Sequence, residues 1–255
     1  MTKIFMNGCC GRMGKVIACM CLNSDEYEIV AGGDIVANPD CKFPVYSNLN
    51  DCTEDFDVII DFSNAKAVPA VIKFALDRKK PLICCTTALS EETVNDLHSA
   101  SDTIAVFKSA NMSLGINMMV ELAKQATKIL YPEFDIEIVE AHHNRKLDAP
   151  SGTAVMIADG ISEEIEGDVD YVYDRHSVNK ARSKNEIGIA SIRGGNIVGE
   201  HSAMFISDEE ILTISHSAQT RDVFAKGALT AAKFMSGKTS GFYTMSDVIA
   251  QYIDN

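Results

Sequence analysis

The chain has 255 residues, 46 % of them hydrophobic, enough to bury a substantial core in one large domain or two modest ones. Its formal net charge of -13 argues against a nucleic-acid partner or an anionic membrane surface, since phosphate contacts need lysine and arginine in excess. No apolar run is long enough to span a bilayer, and MTKIFMNG lacks the apolar core and cleavage site of a signal peptide, so a soluble cytoplasmic protein is expected.

In chain order, KIFMNG reads as a strand ending in glycine, and CCGRMGKVIACMCL as a helix with apolar positions at helical spacing. EYEIVAGGD is a second strand ending at Asp34, and DVIIDFS a third ending at Asp61, Phe62 and Ser63. A helix over NAKAVPAVIKFALDRKK, a strand PLICCTT, a helix SEETVNDLHSA capped by Ser90 and a strand TIAVFKS follow. Near-continuous apolar strands alternating with helices predict an α/β unit with a parallel sheet covered on both faces.

The turn after the first strand, NGCCGRMG, spaces Gly8, Gly11 and Gly14 as GxxGxxG, one residue longer in its first gap than the usual dinucleotide fingerprint. It leaves a strand, opens a helix, and is followed by Asp34 at the tip of the second strand. Glycines let the backbone approach a pyrophosphate, the helix start supplies amides and positive dipole, and a carboxylate accepts from ribose hydroxyls. A Rossmann-like dinucleotide-binding domain is therefore expected. Asp34 repels a 2′-phosphate and Ile35 follows it where an arginine could clamp one, so NADH is favoured over NADPH, with Arg12, Lys15 or Lys42 as the residues able to reach a 2′-phosphate.

All eight cysteines lie in the first 85 residues, without zinc-type spacing. Adjacent pairs such as Cys9 and Cys10 are expected to point apart, as small buried thiols in a reducing compartment, so no metal site is predicted.

Beyond SANMSLGINMMVELAKQATKIL, a long helix capped by Ser113, the pattern changes. A strand over residues 134–143 leads into EAHHNRKLDAPSGTA, residues 140–154, and a helix begins near Ser151. After an irregular stretch around 166–186, GIASIRG, NIVGEHSAMFI and EEILTISHSA read as strands joined by Gly-Gly-Asn and Asp-Glu turns, a mainly antiparallel meander. The helix RDVFAKGALTAAKFMSG and the tail GFYTMSDVIAQYIDN are expected to return to the first domain.

His142, His143, Arg145 and Lys146 gather within five positions of an acidic chain. Neighbouring histidines on an extended segment face opposite ways. Ser151, Gly152 and Thr153 bring hydroxyls and first-turn amides, an anion site suited to a carboxylate or phosphate. Beside a nicotinamide domain, this set points to reduction of a small anionic acceptor, with histidine supplying the proton. A dehydrogenase of another small acid and a non-catalytic NADH sensor are the rival readings.

EAHHNRKLDAPSGTA resembles the signature of the 4-hydroxy-tetrahydrodipicolinate reductase (dihydrodipicolinate reductase) family. NGCCGRMG, DFS at 61–63, TT at 86–87, SANMSLGIN at 109–117 and IRGGNIVGEHSAMF at 192–205 are similar to its other blocks, in the same order along nearly the whole chain. The resemblance implies that His142 is the proton donor, that Lys146 partners a substrate carboxylate in binding and catalysis, and that His143, Ser151, Gly152 and Thr153 bind the dicarboxylate. It implies dinucleotide contacts from Gly8, Arg12, Met13, Asp34, Phe62, Thr86, Thr87, Ala110, Asn111 and Met112, alongside Gly11 and Gly14 of the turn. It further implies a dinucleotide-binding domain from 1–112 and 221–255, an α+β substrate and tetramerisation domain from 113–220, and a homotetramer joined through the second sheet. Two departures stand out: the family's Gly-Thr-Thr-Gly is here Cys85-Thr86-Thr87-Ala88, and the arginine that can follow the acidic residue is Ile35.

Overall fold

The computed structural model describes residues 1–36, 41–177 and 179–253, so residue 178 of the stretch read as irregular and the last two residues of the tail lie outside the described residues. The chain divides into two compact units, Met1–Met112 with Asp222–Asn255, and Ser113–Arg221.

The first unit runs β1 (Thr2–Asn7), α1 (Arg12–Leu22), β2 (Tyr27–Gly33), β3 (Val45–Tyr46), a 3-10 turn at Leu49–Asp51, β4 (Val58–Asp61), α2 (Val68–Arg78), β5 (Leu82–Cys84), α3 (Glu91–Ala100) and β6 (Ala105–Lys108). The second unit holds α4 (Leu114–Leu130), β7 (Asp135–His142), α5 (Gly152–Ser162), β8 (Asp170–Val172), β9 (Glu186–Arg193), β10 (Glu200–Ile206) and β11 (Ile211–Ser217). The chain then returns to the first unit with α6 (Asp222–Met235), β12 (Gly241–Tyr243) and α7 (Met245–Ile253).

In the first unit seven strands pair in the order β12-β6-β5-β4-β1-β2-β3, every pair parallel. All four residues of β4 are buried, as a parallel strand covered on both faces requires. Phe5, Phe56 and Phe74 form an aromatic knot with ring centroids 5.0–5.8 Å apart, tying β1 to α2. Ser90 caps α3 by accepting from the Thr93 amide, as its position predicts. On the other side, α6 packs its small residues against α1, β1 and β4. The tail does more than return: residues 241–243 add an edge strand beside β6.

The second sheet runs β11-β10-β7-β9-β8 and is mixed, which corrects the expected mainly antiparallel meander. Pairs β11-β10 and β10-β7 are antiparallel; β7-β9 and β9-β8 are parallel. The Gly-Gly-Asn segment does not close a hairpin. Residues 194–199 instead cross the end of β7, pinned where the Gly194 amide donates to His142 O at 2.9 Å and the Asn144 amide to Gly195 O at 3.3 Å. Six residues comfortably span the two strand spacings, about 10 Å, from β9 to β10. The short β8 lies inside the stretch read as irregular; three partly exposed residues carry no periodic signal.

One face of this sheet is covered by α4 and α5, through Ile136, Ile138, Ile187, Ile189 and Phe205 against Met119, Ile157 and Ile161. Ile192 and Ile211, on the opposite face, are 52 % and 58 % exposed. No helix among the described residues is long and apolar enough to cross a membrane.

Candidate active site

The basic cluster of the second unit is organised around one buried acid. Glu140 and His142 are two apart on β7, so both side chains leave the same face of the strand. Glu140 is fully buried and accepts from His142 Nδ1 at 2.6 Å. Its oxygens also take both Nη groups of Arg193, at 2.7 and 2.8 Å, and the Ser151 amide at 3.1 Å. The parallel register sets His142 opposite Arg193, which is how residues so far apart in sequence meet. Burial by itself raises the Glu140 pKa, but hydrogen bonds from Arg193, His142, Ser191 and the Ser151 amide overcome it and hold the carboxyl down at about 2.

An ionised Glu140 dictates the state of the imidazole. Nδ1 carries the proton donated to the carboxylate, which leaves Nε2 as the atom that gains and loses a proton. Gly199 keeps that atom approachable, because a Cβ there would stand 3.1 Å from His142 Nε2. The ring of His201 on β10 meets His142 edge-on at 5.2 Å, and its Nε2 lies 3.1 Å from Ser151 Oγ. Burial, reinforced by His142, pushes the His201 pKa down to about 4, so this second imidazole is neutral at physiological pH.

Ser151 caps α5, its hydroxyl accepting from the Ala154 amide at 3.1 Å. Space opens at Gly152, where a Cβ would meet no atom within 4 Å. Thr153 follows in the first turn. The helix start thus presents positive dipole beside His142. Lys146, in the loop before α5, pairs with Asp148 at 2.8 Å, and that ammonium lowers the Asp148 pKa. Arg193 Nη2 donates to Asp148 O at 2.7 Å, tying the loop to the Glu140 cluster. His143 turns the other way, its Nε2 3.3 Å from Arg221 Nη2. Desolvation, helped by Arg145 and Arg221, lowers its pKa.

In the first unit, Gly8 adopts φ 77°, and a Cβ there would press on Phe62 O. Gly14 is held against the Gly8 carbonyl, so both glycines are needed for the turn itself. Gly11 is the N-cap of α1 and no side chain fills the helix start, which leaves room for an anion. Arg12 is exposed and Met13 half-buried at this end. Asp34 lies just past β2, its Oδ2 accepting from the Cys10 amide at 2.9 Å and its Oδ1 from the Val36 amide at 3.3 Å, with lone pairs left for further donors. A glycine turn, an uncapped helix start and a half-buried carboxylate fit a dinucleotide.

Below these residues, a buried network joins the ends of β1, β4 and β5. Asp61 accepts from Asn7 Nδ2, Ser63 Oγ and Thr86 Oγ1, each at 2.6 Å. The Thr86 hydroxyl is therefore committed to Asp61, while Thr87 is exposed. Ala88 takes φ 56°, a left-handed conformation that glycine adopts more easily. Phe62 is half-buried, Ala110 exposed, Asn111 half-buried and Met112 buried against α6.

Cys9 and Cys10 do not point apart: their sulfurs are 3.8 Å from each other. The expectation assumed an extended backbone, whereas the pair sits in the turn that Gly8 bends. Glu140, Arg193, His201, Gly199 and Asp61 were missed as site residues. The signal was present for Glu140, an acid spaced to share a strand face with His142, and for Asp61, a charge inside an apolar run.

Two family models match the chain: "Dihydrodipicolinate reductase, N-terminus" over residues 2–112 and "Dihydrodipicolinate reductase, C-terminus" over residues 115–249. The 4-hydroxy-tetrahydrodipicolinate reductase of Caldanaerobacter subterraneus subsp. tengcongensis is 51 % identical over 249 residues, 98 % of each chain. That of Clostridium novyi is 43 % identical over 249 residues, again 98 % of each. Among solved structures, a dipicolinate-bound dihydrodipicolinate reductase from Paenisporosarcina sp. TG-14 superimposes with a TM-score of 0.79 at 23 % identity, covering 96 % of this chain and 97 % of that one, a likeness of fold. With both units matched by family models and a full-length relative sharing half its residues, the chain belongs to the dihydrodipicolinate reductase family.

Proposed function

We propose that this protein reduces 4-hydroxy-tetrahydrodipicolinate to tetrahydrodipicolinate with a pyridine nucleotide, in the diaminopimelate route to lysine. The observation that carries the reading is the His142 imidazole, clamped at Nδ1 by buried Glu140 and open at Nε2 beside a cationic loop and a helix start. The named relatives and the family models support the same reaction.

A bound reduced nicotinamide supplies a hydride. The substrate's 4-hydroxyl would leave as water, the hydride would add to the unsaturated acceptor so formed, and the one proton then required would come from His142 Nε2, with Glu140 stabilising the charged ring. Lys146 exchanges Asp148 for a substrate carboxylate, and Ser151, Gly152 and Thr153 take a carboxylate at the start of α5; His143 adds a contact from the far side of the strand end. The Paenisporosarcina protein carries dipicolinate, a small dicarboxylate of the class this cluster would hold. On the dinucleotide side, Gly8, Gly11, Arg12, Met13 and Gly14 receive the pyrophosphate, and Phe62, Thr86, Thr87, Ala110, Asn111 and Met112 flank the cofactor. Asp34 takes the ribose. With Ile35 exposed after it, NADH is the preferred donor and NADPH the poorer one.

A cytoplasmic homotetramer fits the open face of the second sheet, where Ile192 and Ile211 stand exposed. Light scattering on the purified protein tests it, and a monomer would reject it.

The reaction is tested by nicotinamide oxidation with the substrate generated in place from pyruvate and aspartate semialdehyde by a synthase. Oxidation should depend on the synthase and be faster with NADH. His142→Gln should lose turnover far more than NADH affinity, and Lys146→Ala should raise KM and lower kcat together. Binding of NADH without synthase-dependent oxidation would favour the sensor reading.

A further inference from the structure

The proposed reaction uses no thiol, yet eight cysteines crowd the first 85 residues. Three of them converge. The sulfurs of Cys9, Cys10 and Cys41 all lie within 4.8 Å of one another, although Cys41 comes from the far side of β2. A tetrahedral zinc-class ion with sulfurs about 2.3 Å away needs them about 3.8 Å apart. The Cys9–Cys10 separation is 3.8 Å.

We propose that Cys9, Cys10 and Cys41 form a trithiolate site for a zinc-class divalent cation, and that filling it opposes dinucleotide binding at the same turn. The second half rests on the dinucleotide reading of that turn.

The arrangement suits a metal better than a disulfide. A disulfide would join two sulfurs at about 2.05 Å and leave the third without a role. Three thiols bind one divalent cation and release three protons, so affinity rises with pH. Thiolate donors select zinc-class ions over magnesium or calcium. Asp34 accepts from the Cys10 amide at 2.9 Å, which ties the cysteine pair to the carboxylate proposed to meet the ribose. A cavity of about 630 Å³, lined by Cys9, Cys41, Lys15, Tyr27 and Phe43, gives an ion a route to the otherwise buried Cys9. Coupling follows from shared parts: two of the three ligands belong to the glycine turn, and the Cys10 amide that Asp34 holds moves with its ligating side chain.

The test is a cobalt(II) titration of the full-length protein under anaerobic, reducing conditions. One equivalent should give thiolate-to-cobalt charge transfer and tetrahedral ligand-field bands, and zinc should bleach them. Cys10→Ser and Cys41→Ser should each abolish the bands, whereas Cys19→Ser and Cys52→Ser keep them. NADH affinity, read by nicotinamide fluorescence, should fall at least about fivefold with zinc in the unaltered protein and not in Cys41→Ser. Absence of thiolate bands, or their survival in both Cys10→Ser and Cys41→Ser, overturns the site. Thiolate bands with NADH affinity unmoved by zinc overturn the coupling. Failure of the metal-free protein to bind NADH defeats the dinucleotide reading, and the coupling with it, while the cobalt result still decides the site.

Discussion

Replacing Glu140 by glutamine tests the centre of the second unit. The side chain is fully buried and accepts two hydrogen bonds from Arg193 together with others from His142, Ser191 and the Ser151 amide. A carboxyl held from 4.5 down to about 2 is stabilised at neutral pH by about 3 kcal/mol relative to the unfolded chain. That matches the cost of about 3 kcal/mol for leaving one partner of a buried ion pair uncompensated. Because the folded pKa is depressed, this stability is present above pH 4.5 and is lost as the pH falls toward 2. Glu140→Gln should therefore unfold in urea with about 3 kcal/mol less stability at pH 7, and lose less on acidification than the unaltered protein.

The rate should suffer separately. A neutral amide orients the imidazole poorly and no longer stabilises its charged form, so kcat should fall roughly 10²- to 10³-fold with NADH affinity kept. The limb on which the rate declines as pH rises should move to lower pH. A folded Glu140→Gln protein with unaltered kcat and an unmoved limb would refute the argument that this acid governs His142.

His201 is neutral down to about 4, whereas in the unfolded chain it takes a proton near 6.5, so acidification across that window favours unfolding. The unaltered protein should lose about 2 kcal/mol between pH 7 and 5 from this residue, and His201→Gln should flatten that slope in urea titrations. Ala88→Gly should add about 0.5–1 kcal/mol of stability, seen as a slightly higher thermal midpoint, since relief of the left-handed conformation exceeds the extra chain entropy of glycine; a lower midpoint would contradict it. Gly227→Ala drives a methyl group into the Met112 backbone carbonyl and should cost about 3 kcal/mol, seen as a lower urea midpoint and weaker NADH binding.

Much of the fold is legible in local pattern. Apolar strands alternating with helices fix a parallel sheet, because each residue's periodicity reports the faces it must bury. Ser90, Ser113 and Ser151 each cap the helix they precede, since an orphan amide three residues on needs an oxygen. The same local logic puts His142 at a strand end and Ser151 at a helix start.

What the sequence leaves open is which distant segments meet. Periodicity tells β7, β9 and β10 to be strands, yet not that β7 lies between the other two; that depends on a connection long enough to cross it and on which pairing buries most apolar surface. Glu140 and Arg193 are brought together by that register. Cys41 meets Cys9 and Cys10 through a tertiary contact that no local pattern reports. Local periods are set by the geometry of a few neighbouring residues, whereas register and convergence arise from competition among all the surfaces the chain can bury at once, and only the tertiary structure resolves that competition.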